Sequence, residues 1–319
     1  MRLKEDWKPA VLGFAVGDAL GVPVEFKSRS FLHSHPVSSM QGYGSHAVPK
    51  GTWSDDTSMI LATIDSLLNG LDYRDMMERF CSWGNDAEYT PFHEVFDMGV
   101  AIRRALLRYI SGEAEPILCG GKEEKDNGNG SLMRILPAIF YCKACFSPSL
   151  FFTKGLEMIH TTSALTHAHP RSQMACGIYA CIVSSLLDSH KKESVAEGLT
   201  NAFNYYKASD RFRAEAVHFG RLLHEDFAKL PETDIRSSGY VVDTLEAAVW
   251  SFLSTDSFES CVLKAVNLGD DTDTVAAIAG ALAGILYGLD AIPKEWLSAL
   301  VERQYIENLC DQFASKIFR

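Results

Sequence analysis

Two short segments concentrate the residues best suited to chemistry: Gly51-Thr52-Trp53-Ser54-Asp55-Asp56-Thr57 and Gly269-Asp270-Asp271-Thr272-Asp273-Thr274. Each precedes an apolar run, so each is first a candidate helix N-terminus, where Ser, Thr and Asp accept hydrogen bonds from unpaired amides. Capping requires one such side chain per helix. Here two carboxylates precede the first run and three the second. The second run, Val275 to Leu289, has no polar face and reads as buried all round. A helix N-terminus supplies only about half a positive charge, too little for several carboxylates held out of water. Hard divalent cations bound through oxygen would supply what is missing. Mg²⁺ or Mn²⁺ suit carboxylates joined by hydroxyl and water ligands. Capping and metal binding are therefore the two readings of these segments, and four carboxylates, Asp55, Asp56, Asp271 and Asp273, would balance two divalent ions.

Other groups carry weaker signals. Asn129-Gly130-Ser131 offers a flexible backbone and a hydroxyl ahead of a helical pattern, which suits phosphate binding at main-chain amides, although a lone Gly-rich stretch is more often only a loop. His167 and His169 suggest a further metal site, but no thiolate or acid stands close in sequence. Cys142 and Cys145 have no second pair and read as helix-end cysteines. The aromatic residues fall mostly at helical spacing and read as core, with Tyr240 as a candidate stacking residue.

The elements that must position these groups read almost entirely as helices. Apolar residues recur at helical spacing over Thr57–Leu68, Val95–Ile110, Leu132–Cys142, Phe151–Ile159, Met174–Leu187, Val242–Leu253 and Trp296–Phe313. Strand-like alternation is scarce, and Tyr240-Val241-Val242 is too short to indicate a sheet. Glu113–Gly130 reads as a loop, as do Lys191–Lys192 and Pro231–Ser238, and none looks like a domain linker. Residues 1–319 are thus expected to form one all-α domain. Two helices carry glycines every four residues, Gly13, Gly17 and Gly21 in one and Gly280, Gly284 and Gly288 in the other. Such ridges let a second helix backbone approach closely, and each Gly costs roughly 0.5–1 kcal/mol relative to Ala. Either the two ridges pack on each other at the centre of the fold, or each faces bulky side chains elsewhere.

Composition narrows the function classes. The 319 residues carry 30 Lys+Arg against 41 Asp+Glu, a net charge of −11 that disfavours specific nucleic-acid binding. A hydrophobic fraction of 47% excludes a disordered chain. No apolar run reaches the ~18 residues that span a bilayer, and the start lacks a signal-peptide layout. Eight cysteines in a chain of this length fit reduced thiols. No membrane association is expected, and the expected location is cytoplasmic.

Taken together, these blocks resemble the ADP-ribosylglycohydrolase family, which includes the dinitrogenase reductase-activating glycohydrolases. The matching pieces run in family order over roughly positions 10 to 290. They are Gly17-Asp18-Ala19-Leu20-Gly21 with Pro23 and Glu25, the Ser54-Asp55-Asp56-Thr57 segment, and Gly128-Asn129-Gly130-Ser131 with Met133-Arg134. His167-Ala168-His169-Pro170, Gly239-Tyr240-Val241 with Asp243-Thr244, and Gly269–Thr274 follow. The resemblance implies a single-domain orthogonal helical bundle around a binuclear Mg²⁺ or Mn²⁺ site. It implies metal ligands at Ser54, Asp55, Asp56, Asp271, Asp273 and Thr274, with Ser54 standing where the family often has Thr. It further implies that Glu25 is the catalytic base and that Asp97 is a second carboxylate near the substrate. Gly99, Asn129, Gly130, Ser131, His167, Gly239 and Tyr240 would contact the substrate.

The implied activity is hydrolysis at the anomeric carbon of the distal ribose in ADP-ribosylated proteins or small ADP-ribosyl conjugates. The leaving group, whether arginine, serine, acyl, nucleobase or a small metabolite, is left open. A non-catalytic ADP-ribose binder of the same fold is the alternative, which loss of the metal carboxylates would mark. All four are present. An all-α phosphohydrolase of the His-Asp type would need an adjacent His-Asp pair, which the sequence lacks.

Overall fold

The computed structural model describes residues 2–318, which form fifteen α-helices joined by loops, 3₁₀ segments and one π-helical turn, with no β-strand among the described residues. Its centre is the pair Leu3–Gly21 and Thr272–Tyr287. A Cβ placed on Gly13 would fall on the Gly280 carbonyl oxygen, one on Gly17 on that of Ala276, and one on Gly21 on the backbone of Thr272 and Asp273. At the far end Gly284 faces the Pro9 carbonyl in the same way. As one chain ascends the other descends, so the helices are antiparallel and in main-chain contact. This is the first of the two arrangements that the glycine spacing allows. Gly288 does not join it: at φ +78° it ends the second helix, with open space around its α-carbon.

One hydrophobic core runs from Leu3 to Ala314 around this pair. No helix among the described residues is long and apolar enough to cross a membrane. All eight cysteines are free, and Cys142 and Cys145 lie in the last turn of Leu136–Cys145.

Three helix boundaries differ from the periodicity, each for a local reason that bears on the site. Val95–Ile110 is helical only over Val100–Ile110, because Asp97 takes φ +57° and Gly99 is extended. Leu132–Cys142 starts late, at Leu136, after a single turn in which the Leu132 and Met133 amides donate to the Asn129 carbonyl. Trp296–Phe313 is two helices, Lys294–Ala299 and Arg303–Ile317. At the break between them the Val301 amide donates to the Gly51 carbonyl and Trp53 Nε1 donates to the Val301 carbonyl, at 3.0 and 2.9 Å. The break thus braces the segment that enters the Asp55–Leu67 helix.

Candidate active site

Asp18 organises the first carboxylate segment. It projects from the central helix, fully buried, and its two oxygens accept from the amides of Ser54 and Thr57 and from the Thr57 hydroxyl at 2.6–3.1 Å. Ser54 caps the same helix locally, accepting from the Asp56 amide at 3.2 Å. With capping done by these two residues, Asp55 and Asp56 are free for another task. The Thr272–Tyr287 helix begins after Asp271, whose side chain makes no cap bond. Asp271 instead accepts from Asn129 Nδ2 at 2.7 Å, and Asp273 accepts from the Thr274 amide at 2.9 Å.

The antiparallel helix pair brings the two segments together. Thr272 Oγ1 donates to the Gly21 carbonyl at 2.8 Å, where the first helix ends. A 3₁₀ turn, Val22–Val24, then delivers Glu25. Two backbone bonds tie the turns reciprocally, Phe26 amide to Asp270 carbonyl at 2.7 Å and Asp270 amide to Lys27 carbonyl at 2.9 Å. Phe26, Asp97 and Asp270 all hold left-handed backbone, with φ of +63°, +57° and +60°. Such conformations cost of order 1 kcal/mol or more for non-glycine residues and gather at functional sites.

Three triads of candidate ligand atoms result, each with its atoms within 4.8 Å of one another: Asp18, Asp56 and Asp273; Glu25, Asp271 and Asp273; Glu25, His46 and Asp97. Asp273 links the first to the second, and Glu25 the second to the third. Burial raises every carboxyl here above its ordinary value: Asp18 to about 6, Asp97 to about 7 and Glu25 to about 8. Asp55, Asp56 and Asp273 rise well above theirs, and Asp271 is raised too. Repulsion from neighbouring carboxylates adds to burial, and hydrogen bonds from Thr57, Ser54, Asn129 and Thr274 oppose it in part. Asp56 Oδ2 is buried without any partner, and a buried anionic oxygen lacking a donor is costly. These acidic clusters fit hard divalent cations in number, type and hydroxyl support from Thr274, whose Oγ1 donates to Asp56 at 3.3 Å.

A cavity of about 310 Å³ opens beside the clusters. Of the residues singled out in the sequence, Glu25, Asp55, Asp97, Gly99, Asn129, Gly130, His167, Gly239, Asp271 and Thr274 line it. An isolated bridge between Gly128 and Tyr240, with the Asn129 amide donating to the Gly239 carbonyl at 3.0 Å, holds two of these loops together. Asp56, Asp273 and Ser54 lie behind the wall. Ser131 also faces away from the cavity, its hydroxyl accepting from Ser163 at 2.8 Å. Since the regular helix starts only at Leu136, Asn129–Ser131 is not a helix N-terminus, and that part of the phosphate-loop expectation is corrected. Tyr240 does not line the cavity; its hydroxyl accepts from Arg171 at 3.0 Å and its ring lies under that guanidinium. His169 caps the Pro170–Ser189 helix.

Sequence reasoning missed Asp18 and His46 as site residues. Asp18 was legible as a lone carboxylate within an apolar, glycine-ridged helix, whereas His46 reaches Glu25 Oε2 (2.5 Å) from a distant loop and leaves no trace in sequence.

The raised carboxyls fix how metal-free protein responds to pH. A folded pKa above the unfolded value near 4 gives stability that is present at low pH and lost as pH rises through the folded value. The melting temperature in chelator should therefore fall from pH 7 to pH 8.5, through the value near 8 for Glu25. Buried His160 and His167, pushed down to about 3, stay neutral in the folded protein throughout that range. They add only a small opposite slope near pH 7, where the unfolded histidines lose their last protons. Excess Mg²⁺ or Mn²⁺ should restore more stability at pH 8.5 than at pH 7, because cations binding only the native state shift the equilibrium by mass action. A flat profile without response to either metal would refute a preformed site.

Comparison with known proteins points to one family. The model of the family described as ADP-ribosylglycohydrolase matches residues 2–319. The chain is 34% identical over 311 residues to an ADP-ribosylarginine hydrolase of Serratia proteamaculans, covering 96% of this chain and 78% of that one. It is 34% identical over 303 residues to the ADP-ribosyl-[dinitrogen reductase] glycohydrolase of Rhodospirillum rubrum, covering 92% and 91%. A solved structure titled ADP-ribosylglycohydrolase-related protein complex superposes with a TM-score of 0.80 at 33% identity, over 99% of both chains.

Proposed function

The chain belongs to the ADP-ribosylglycohydrolase family, and from that premise we propose that it hydrolyses the glycosidic bond at the anomeric carbon of the distal ribose in ADP-ribosylated proteins, with arginine as the linked residue. The carrying observation is the meeting of Glu25, Asp271 and Asp273, the first two at the wall of one cavity and the third buried behind it. Arginine is the linkage named for the Serratia relative.

Residues 1–319 act as one catalytic unit in this reading. Two divalent cations, Mg²⁺ or Mn²⁺, would be held by Asp55, Asp56, Asp271 and Asp273 with the hydroxyls of Ser54 and Thr274. Bound there, they would offset carboxylate charge and hold oxygens of the ribose diol. The chain's own groups do the rest. Glu25 has one carboxyl oxygen engaged by His46, which orients it, and as a carboxylate it would take a proton from water. Asp97, beside Glu25 and with Asp55 and Asp271 as charged neighbours, stands at the cavity wall as a second proton acceptor. Gly99, Gly130 and Gly239 bring main chain close to the ligand, and His167 and Asn129 offer polar contacts. Such hydrolysis passes through an oxocarbenium-like state, which the surrounding carboxylates would stabilise.

The test is product detection after incubation with ADP-ribosyl-arginine protein, ADP-ribosyl-serine peptide and O-acetyl-ADP-ribose, each with Mg²⁺ and with Mn²⁺. Free ADP-ribose should appear from the arginine conjugate. Release only from the serine or acetyl conjugate would overturn the linkage, and tight ADP-ribose binding without any release would favour a non-catalytic binder.

A further inference from the structure

Arg134 is wholly buried and has no carboxylate partner. Its Nη2 donates to the Thr162 carbonyl and to Thr166 Oγ1, at 3.1 and 2.7 Å, while Nε and Nη1 have no partner. The guanidinium lies over the Phe80 ring, 4.7 Å from its centroid. A lone buried cation of this kind calls for an explanation, because burial without a counter-charge is expensive. The next link supplies one. Thr166 is also fully buried, and its Oγ1 lies 2.9 Å from Nδ1 of His167, which lines the cavity.

The protons in this chain can be assigned. A guanidinium only donates, so Thr166 Oγ1 accepts from Arg134. A hydroxyl carries one proton, and the acceptor within reach of Thr166 Oγ1 is His167 Nδ1. Were Nδ1 protonated, Oγ1 would receive two donors and its own proton would be buried without an acceptor, a costly arrangement. We infer that Thr166, oriented by Arg134, locks His167 as the neutral tautomer with its proton on Nε2, so that the ring presents a hydrogen-bond donor to a substrate oxygen in the cavity. Nε2 lies on the side of the ring that faces Gly128. Burial, with the Arg134 charge adding to it, pushes the His167 pKa down to about 3, in keeping with a neutral ring. Arg134 and Thr166 are positioning residues in this scheme, touching neither cavity nor substrate.

The donor role rests on the substrate reading above, whereas the tautomer does not. Because Arg134 is enclosed, the test substitutes Thr166. Nitrogen-15 NMR of the ligand-free protein at pH 7 should show His167 protonated at Nε2 and bare at Nδ1. Thr166→Val keeps the shape and removes the hydroxyl, so that pattern should be lost, while Thr166→Ser should retain it. ADP-ribose should bind Thr166→Val about tenfold more weakly, as for the loss of one directed hydrogen bond, and bind Thr166→Ser as it binds the wild type. A wild-type ring protonated at Nδ1, or a Thr166→Val ring unchanged from wild type, would overturn the proposal. The expected tautomer in a wild-type protein that binds no ADP-ribose would sink the substrate reading and leave the lock standing.

Discussion

Asp273→Asn and Asp56→Asn should each leave no measurable turnover and sharply weakened Mn²⁺ binding, whereas Glu25→Gln should slow turnover, weaken metal binding only slightly and spare ADP-ribose binding. All three changes keep side-chain shape. Asp273 belongs to two of the acidic triads and Asp56 carries the orphaned oxygen, so losing either charge removes what a divalent ion would be drawn to. Glu25 stands at the cavity edge, and its replacement removes a basic oxygen while Asp55, Asp56, Asp271 and Asp273 remain. Loss of a general base typically costs ~10²–10⁴-fold. The comparison requires kcat at saturating metal and calorimetric affinities for Mn²⁺ and ADP-ribose. Wild-type turnover in Glu25→Gln with dead Asp variants would move the base role to Asp97, whose Asp97→Asn variant then decides. Normal turnover in all three would show that the site is assigned wrongly.

Gly17→Ala, a change of one methyl, should destabilise the protein by about 3 kcal/mol, at the upper end of what overpacking typically costs. The added carbon would fall on the Ala276 carbonyl group and the Ala277 nitrogen, all main chain. Side chains can rotate out of the way, but helix backbones in contact can only move apart. The gain of up to about 1 kcal/mol in helix propensity from Gly to Ala does not offset this. Separation would also draw Asp18 away from Asp56 and Asp273, so metal affinity should fall with stability. Gly220, which has nothing near its α-carbon and lies outside the left-handed region, is the control. Gly220→Ala should melt within experimental error of wild type, and Gly17→Ala doing the same would refute main-chain packing as the organising feature.

By itself the sequence determined the helical class, the two glycine ridges and the clustering of carboxylates before two apolar helices. Each of these is written in local spacing. Glycine every four residues can only make a flat helical ridge, and carboxylates clustered before a run without a polar face cannot all be caps. The blocks that resemble the family fell around one cavity for the same reason, since each lies at or beside the end of a helix.

What only the tertiary structure decided is which loops meet. Asp97 reads as part of a helix, yet left-handed backbone at that residue turns it toward Glu25. Ser131 and Tyr240 sit in matching motifs, but Ser163 and Arg171 take up their hydroxyls and leave the cavity to their glycine neighbours. His46 and Thr166 act through partners that periodicity cannot see: Glu25, 21 positions away from His46, and Arg134, 32 positions away from Thr166. Periodicity reports which face of a helix is buried. A hydrogen bond between buried side chains depends on the exact meeting of two segments, and that is fixed only when the core between them is packed.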